Sequence, residues 1–131
     1  MRAFLIDTNL YSHAMRGSQW AIDILAESDH IGISTVSLGE LLAGFKVGGK
    51  ADENRKILYE FLDHPRVKVY PVGERTAEFY GEIYKNLRMQ GTPIPTNDIW
   101  IAATAQENGF VLASHDRHFE AIPGLICRIR C

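Results

Sequence analysis

The apolar run Ala3, Phe4, Leu5, Ile6 shows no polar–apolar alternation and stops at Asp7. A strand with one face in water alternates, whereas a strand covered on both faces reads as a continuous apolar stretch, the pattern of a parallel sheet flanked by helices. The C-terminal end of such a strand opens on the crevice where open α/β sheets bind their ligands, so Asp7 stands at a ligand-binding edge. Further strand-like runs follow at residues 31–34, 67–70, 110–113 and 125–129, too widely spaced for hairpins. Helical patterns fill the intervals at residues 10–15, 19–28, 36–45, 52–62, 74–90 and 99–108. The resulting β-α-β rhythm predicts an α/β fold built on a mostly parallel sheet.

Local signals sharpen that frame. Trp20, Ile24 and Leu25 share one helical face, and Phe79, Ile83 and Leu87 form a stripe along the longest helix, both expected as core contacts. Gly109 stands where a C-terminal helix cap is expected. The two prolines of GTPIPTN hold off a helix until Thr96, and KVGGKAD is the most loop-like interior stretch. With 131 residues and 46% hydrophobic content, the chain is read as one domain, 1–131, able to bury a sizeable core.

A formal net charge of −2 argues against a protein that holds nucleic acid by bulk electrostatics, although brief engagement of a phosphodiester stays open. Lys46, Lys50, Arg55 and Lys56 lie close together, as do Lys85 and Arg88, in the manner of solvated helix faces. The apolar stretches are too short for a membrane span, and MRAFLID lacks the features of a signal peptide, so a cytoplasmic location is expected. Cys127 and Cys131 are expected as free thiols, because a bridge between them would close almost no loop.

The carboxylates carry the functional argument. Asp7 follows the first strand, Asp116 follows the fourth, and Glu40 lies early in the helix leaving the second, which points three acids toward one edge. Asp98 opens the helix feeding the fourth strand, and its end of the sheet is undetermined. Each acid also has an ordinary structural role. Asp98 suits a helix start, Ser37 and Glu40 match a capping box, and Asp116 suits a cap on RHFEAI. Asp7 is the exception, being costly to desolvate and without a capping duty unless a helix begins at Thr8. Carboxylates converging on one crevice repel each other, and a cation resolves the repulsion. All-oxygen ligation suits Mg²⁺ or Mn²⁺ and the chemistry of phosphodiester hydrolysis. Zinc is disfavoured: His115 and His118 have no partner pair at ligand spacing, and His13, His30 and His64 stand isolated. Asn9 and Ser114 are short polar side chains suited to orienting a carboxylate or the attacking water.

In order and spacing, AFLIDTNLYS, ISTVSLGELLAG, IPTNDIWIAATAQENGF and LASHDRHFEAIPGL resemble the sequence blocks of the PIN domain, and more closely the VapC toxins of toxin–antitoxin pairs. The resemblance implies a three-layer α/β/α fold with a five-stranded parallel sheet in the order 3-2-1-4-5. It implies that Asp7, Glu40, Asp98 and Asp116 form one acidic, metal-holding catalytic quartet, with Asn9 and Ser114 in support. Ser114 stands where many relatives have Thr, and Asp116 where some have Asn. It further implies a Mg²⁺- or Mn²⁺-dependent endoribonuclease acting on tRNA or other structured RNA. A VapB-type antitoxin partner, a homodimer and higher toxin–antitoxin assemblies are implied as well. The face carrying Leu41, Leu42 and Phe45 is either core or shared with a partner. Competing readings are a PIN nuclease of RNA processing, a non-catalytic PIN-like binding module, and a phospho-aspartate phosphatase. The last is disfavoured because Asn9 occupies the place of its second acid.

Overall fold

The computed structural model describes residues 2–130. Strand β1 (Ala3–Ile6) is followed by α1 (Thr8–Met15) and α2 (Gln19–Glu27), then β2 (His30–Ser34), α3 (Thr35–Val47) and α4 (Ala51–Leu62). After β3 (Val67–Tyr70) come α5 (Glu74–Gln90) and α6 (Thr96–Asn108), and the chain closes with β4 (Val111–Ser114), a 3₁₀ turn (Arg117–Ala121) and β5 (Cys127–Ile129). All pairings are parallel and the strand order is 3-2-1-4-5, as the resemblance implies. Successive connections leave β1 on one side and reach β4 on the other, so the β1/β4 boundary is the topological switch point.

The absence of alternation in β1 has a direct cause. Phe4 and Ile6 pack into a layer with Leu10, Ile24, Ile33 and Leu58, while Leu5 faces the opposite layer with Ile83, Ile99, Ala102 and Leu112. Successive side chains point to opposite faces, and both faces are covered, so every position is apolar. The edge strands β3 and β5 are only partly buried. The Trp20, Ile24 and Leu25 face and the Phe79, Ile83 and Leu87 stripe pack into these two layers as expected. Leu41 is buried inside the first layer, and Leu42 and Phe45 pack against it from half-buried positions.

Several boundaries move, each for a local reason. Helix α1 starts at Thr8 because Asp7 caps it, accepting the Leu10 N–H at 2.8 Å. Ser34 caps α3, accepting from the Val36 N–H at 3.1 Å. The expected capping box of Ser37 and Glu40 is therefore not formed: α3 begins directly off β2, leaving Ser37 inside its first turn with a buried hydroxyl lacking a partner among the described residues. Strand β4 begins at Val111 rather than Phe110, whose ring instead lies over Gly32. A Cβ on Gly32 would sit 2.9 Å from that ring and 3.1 Å from Leu5, so the close approach demands glycine. Gly109 caps α6 in the left-handed region at φ 70°. Cys127 is a free thiol, and Cys131 lies outside the described residues. No helix among the described residues is long and apolar enough to cross a membrane.

Candidate functional site

The site is built where β1 and β4 end side by side. Ile6 pairs with Ala113, so Asp7 and Ser114 are the next residues to emerge from the sheet on its two central strands. Asp7 is 3% exposed, and the Ser114 hydroxyl donates to its Oδ2 at 2.5 Å. The same hydroxyl accepts the Asp116 N–H at 2.8 Å, joining the ends of both strands through one oxygen. Asp116 caps the 3₁₀ turn by accepting the His118 N–H on Oδ1 at 2.9 Å, which leaves Oδ2 facing the His118 ring.

Asp98 reaches this edge from the first turn of α6. Its Oδ2 lies 3.6 Å from His118 Nδ1, which is also 3.1 Å from Asp116 Oδ2. Glu40 comes from the second turn of α3. Thr8 donates to its Oε1 at 2.6 Å, and the Asn97 amide approaches its Oε2 at 3.4 Å. The end of the sheet occupied by Asp98, undetermined by its spacing, is thus the same edge as the other three acids.

Electrostatics record the crowding. Burial is the largest influence on Asp7 and raises its pKa from 3.8 to about 6. Hydrogen bonds from Ser114 and the Leu10 N–H pull it back down, while the charges of Asp98 and Asp116 push it further up. Asp98 is raised too, first by burial and then by Asp116; the His118 hydrogen bond opposes this and Glu40 adds to it. Among the described residues no Lys or Arg forms an ion pair with any of these four acids. Adjacent carboxylates without a fixed counter-charge are a donor set that suits a hard divalent cation. Asp98, Asp116 and His118 each offer a ligand atom, all within 4.8 Å of one another.

Residues 4–125 match the PIN domain family. The chain belongs to that family. Within it, the chain is 29% identical over 128 residues to Ribonuclease VapC2 of Rickettsia felis, with 94% of each chain covered. It is 32% identical over 94 residues to Ribonuclease VapC4 of Mycobacterium tuberculosis, covering 70% of this chain and 71% of that one. The fold superposes with TM-score 0.86 and 26% identity on the crystal structure of VapBC2 from Rickettsia felis bound to a DNA fragment from their promoter, covering 98% and 99% of the two chains.

The PIN-domain edge also holds residues that sequence reasoning passed over. Thr8, not Asn9, anchors Glu40; Asn9 is exposed and makes no side-chain hydrogen bond among the described residues. His118, which spacing compares only with other histidines, stands beside Asp98 and Asp116 and offers a nitrogen next to their oxygens. Its position two residues after Asp116, at the start of a short turn, was the available signal. The other histidines have neighbours of other kinds. The His13 and His115 rings lie tilted with centroids 4.1 Å apart, His30 shares a 2.8 Å hydrogen bond with the Tyr70 hydroxyl, and His64 Nδ1 accepts the Arg66 N–H at 3.2 Å.

Proposed function

We propose that this PIN domain is a divalent-metal-dependent endoribonuclease, the toxin of a VapBC-type pair, with Asp7, Glu40, Asp98 and Asp116 as its catalytic, metal-holding acids. The observation that carries this is the convergence of four carboxylates, unpaired with Lys or Arg among the described residues, at the β1/β4 switch point. The VapC ribonucleases it resembles along most of its length support the reaction class. Residues 1–131 act as one domain in this reading.

Asp98 and Asp116 would hold Mg²⁺ or Mn²⁺, with Asp7 and Glu40 completing the negative lining. When bound, such an ion supplies Lewis acidity, neutralising charge that builds on the phosphate and lowering the pKa of water. Ser114 keeps Asp7 oriented while also fixing the backbone before Asp116. Thr8 holds Oε1 of Glu40 and the Asn97 amide approaches Oε2, which orients the carboxylate toward the cleft to take a proton from the attacking water. Burial of Asp7 keeps bulk water from the floor of the cleft. The net charge of −2 fits brief engagement of RNA at a neutralised site rather than tight non-specific binding.

The substrate class in this reading is tRNA or other structured RNA, the setting is the cytoplasm, and activity is restrained by a VapB-type antitoxin. The chain acts as a homodimer that enters higher toxin–antitoxin assemblies. The solved VapBC structures on which the fold superposes support the partner. The test is direct. Purified full-length chain incubated with RNA should cut it in Mg²⁺ or Mn²⁺, fall silent in chelator, and fall silent again as Asp98→Asn. Cleavage that persists in chelator overturns the metal-dependent reading. Induced expression that leaves growth unchanged while nuclease activity is intact overturns the toxin assignment and favours RNA processing.

A further inference from the structure

Mg²⁺ keeps to oxygen ligands, and the four acids alone would make a pocket for it. The structure adds a nitrogen. His118 Nδ1 stands 3.1 Å from Asp116 Oδ2 and 3.6 Å from Asp98 Oδ2, and the three donor atoms lie within 4.8 Å of each other. At 3.1 Å the Nδ1–Oδ2 separation is short enough for both atoms to bind one ion. The arrangement is also held in place. The His118 N–H binds Asp116 Oδ1, which ties ring and carboxylate to one 3₁₀ turn and commits Oδ1 elsewhere while Oδ2 faces inward.

Two carboxylates that face one Nδ1 call for a donated proton or a cation between them. An ion pair with His118 alone would satisfy that condition, and so would a shared metal ion. Two facts favour the second. Nδ1 stands within reach of both carboxylates while no Lys or Arg among the described residues pairs with either, and the ring is half-exposed to solvent. Imidazole donors shift a carboxylate site away from Mg²⁺ toward first-row divalent ions, and among these Mn²⁺ best tolerates an oxygen-rich octahedral set.

We infer that His118 is a nitrogen ligand of the divalent ion and gives this site a preference for Mn²⁺ over Mg²⁺, an inference that rests on the metal-dependent reading above. Pulsed electron paramagnetic resonance of the full-length chain loaded with one equivalent of Mn²⁺ tests it without any assay of cleavage. Wild type should show modulation from a directly bound ¹⁴N, and His118→Gln should lose it. Calorimetric titration should show Mn²⁺ affinity falling about tenfold in His118→Gln while Mg²⁺ affinity changes less than about twofold. Bound Mn²⁺ without ¹⁴N modulation in wild type, modulation that survives in His118→Gln, or equal losses for both ions would overturn the role of His118. Asp98→Asn separates the two levels: Mn²⁺ binding that this variant leaves untouched would place the ion elsewhere and sink the metal-site reading itself.

Discussion

The two strand ends that form the cleft hold their carboxylates in opposite ways. At the β1 end the strand passes straight into α1, and Asp7 is buried with both oxygens engaged, one by the Leu10 N–H and one by Ser114. At the β4 end two residues separate the strand from a 3₁₀ turn, and the Asp116 side chain is 25% exposed with Oδ2 turned to His118. The β1 side is a rigid, desolvated anchor. The β4 side is an adaptable, solvent-facing one. A charge placed in the first position destabilises the apo fold, while a charge in the second interacts mainly with whatever enters the cleft.

The largest expected effect would erase the difference between them. On the proposed function, Asp7→Asn and Asp116→Asn should each lower RNA cleavage by at least about 100-fold, because each removes a negative group from the lining of the proposed ion site. Rates measured in Mn²⁺ and Mg²⁺ check this. A variant that keeps near-full activity would place its residue outside the reacting centre.

Stability should then split the pair. In the unfolded chain Asp7 loses its proton near 3.8, whereas in the fold it keeps it to about 6. Between those values the native state binds more protons, so the contribution of Asp7 to stability is present at low pH and lost as pH rises through about 6. A shift of that size corresponds to about 2–3 kcal/mol for this buried group. Asp7→Asn in chelator should therefore be more stable than wild type by up to that amount at pH 7, with the gain vanishing toward pH 4. Urea denaturation at several pH values measures it. Asp116→Asn keeps an N-cap side chain and should stay within about 1 kcal/mol of wild type at every pH. Equal pH profiles for the two variants would break the comparison.

Ser114→Ala is the next smaller perturbation. It removes the hydroxyl that joins the two strand ends, leaving Asp7 Oδ2 and the Asp116 N–H each short of a partner. Thermal unfolding should report a loss of about 1–2 kcal/mol, and cleavage should fall about tenfold. The smallest effect belongs to Thr8→Val, which keeps the shape but frees Glu40 Oε1. It should reduce kcat a few-fold, on the order of the weakest ligand-orienting losses, with almost no change in thermal stability.

Much of this was legible from residue order. Strands β1 and β3 and the long helix α5 have the bounds that pattern alone implies, because all three follow from the apolar runs and stripes that burial imposes. Helices α1 and α6 start at Thr8 and Thr96, ahead of their apolar patterns, since their first turns carry Thr8 and Asn97, which reach Glu40 rather than the core. Glu40 shows the same limit: its capping-box pattern with Ser37 was real in the letters, but Ser34 had already supplied the cap. His118 escaped notice because metal-ligand spacing is read along the chain, and its partner Asp98 lies 20 residues away on another element.

The sequence by itself determined that this chain makes a parallel, doubly covered sheet with an acid at the end of its first strand, because burial on both faces can be met only by uninterrupted apolar runs. Only the tertiary structure decided which groups share the cleft. Whether Asp98 returns to the active edge, whether Thr8 or Asn9 reaches Glu40, and whether an imidazole faces two carboxylates all depend on how α5 and α6 fold back over the sheet and on the rotation of single helical turns. Those are distances through space of a few ångströms, set by packing and hydrogen bonding between segments far apart along the chain, and local residue preferences carry no record of them.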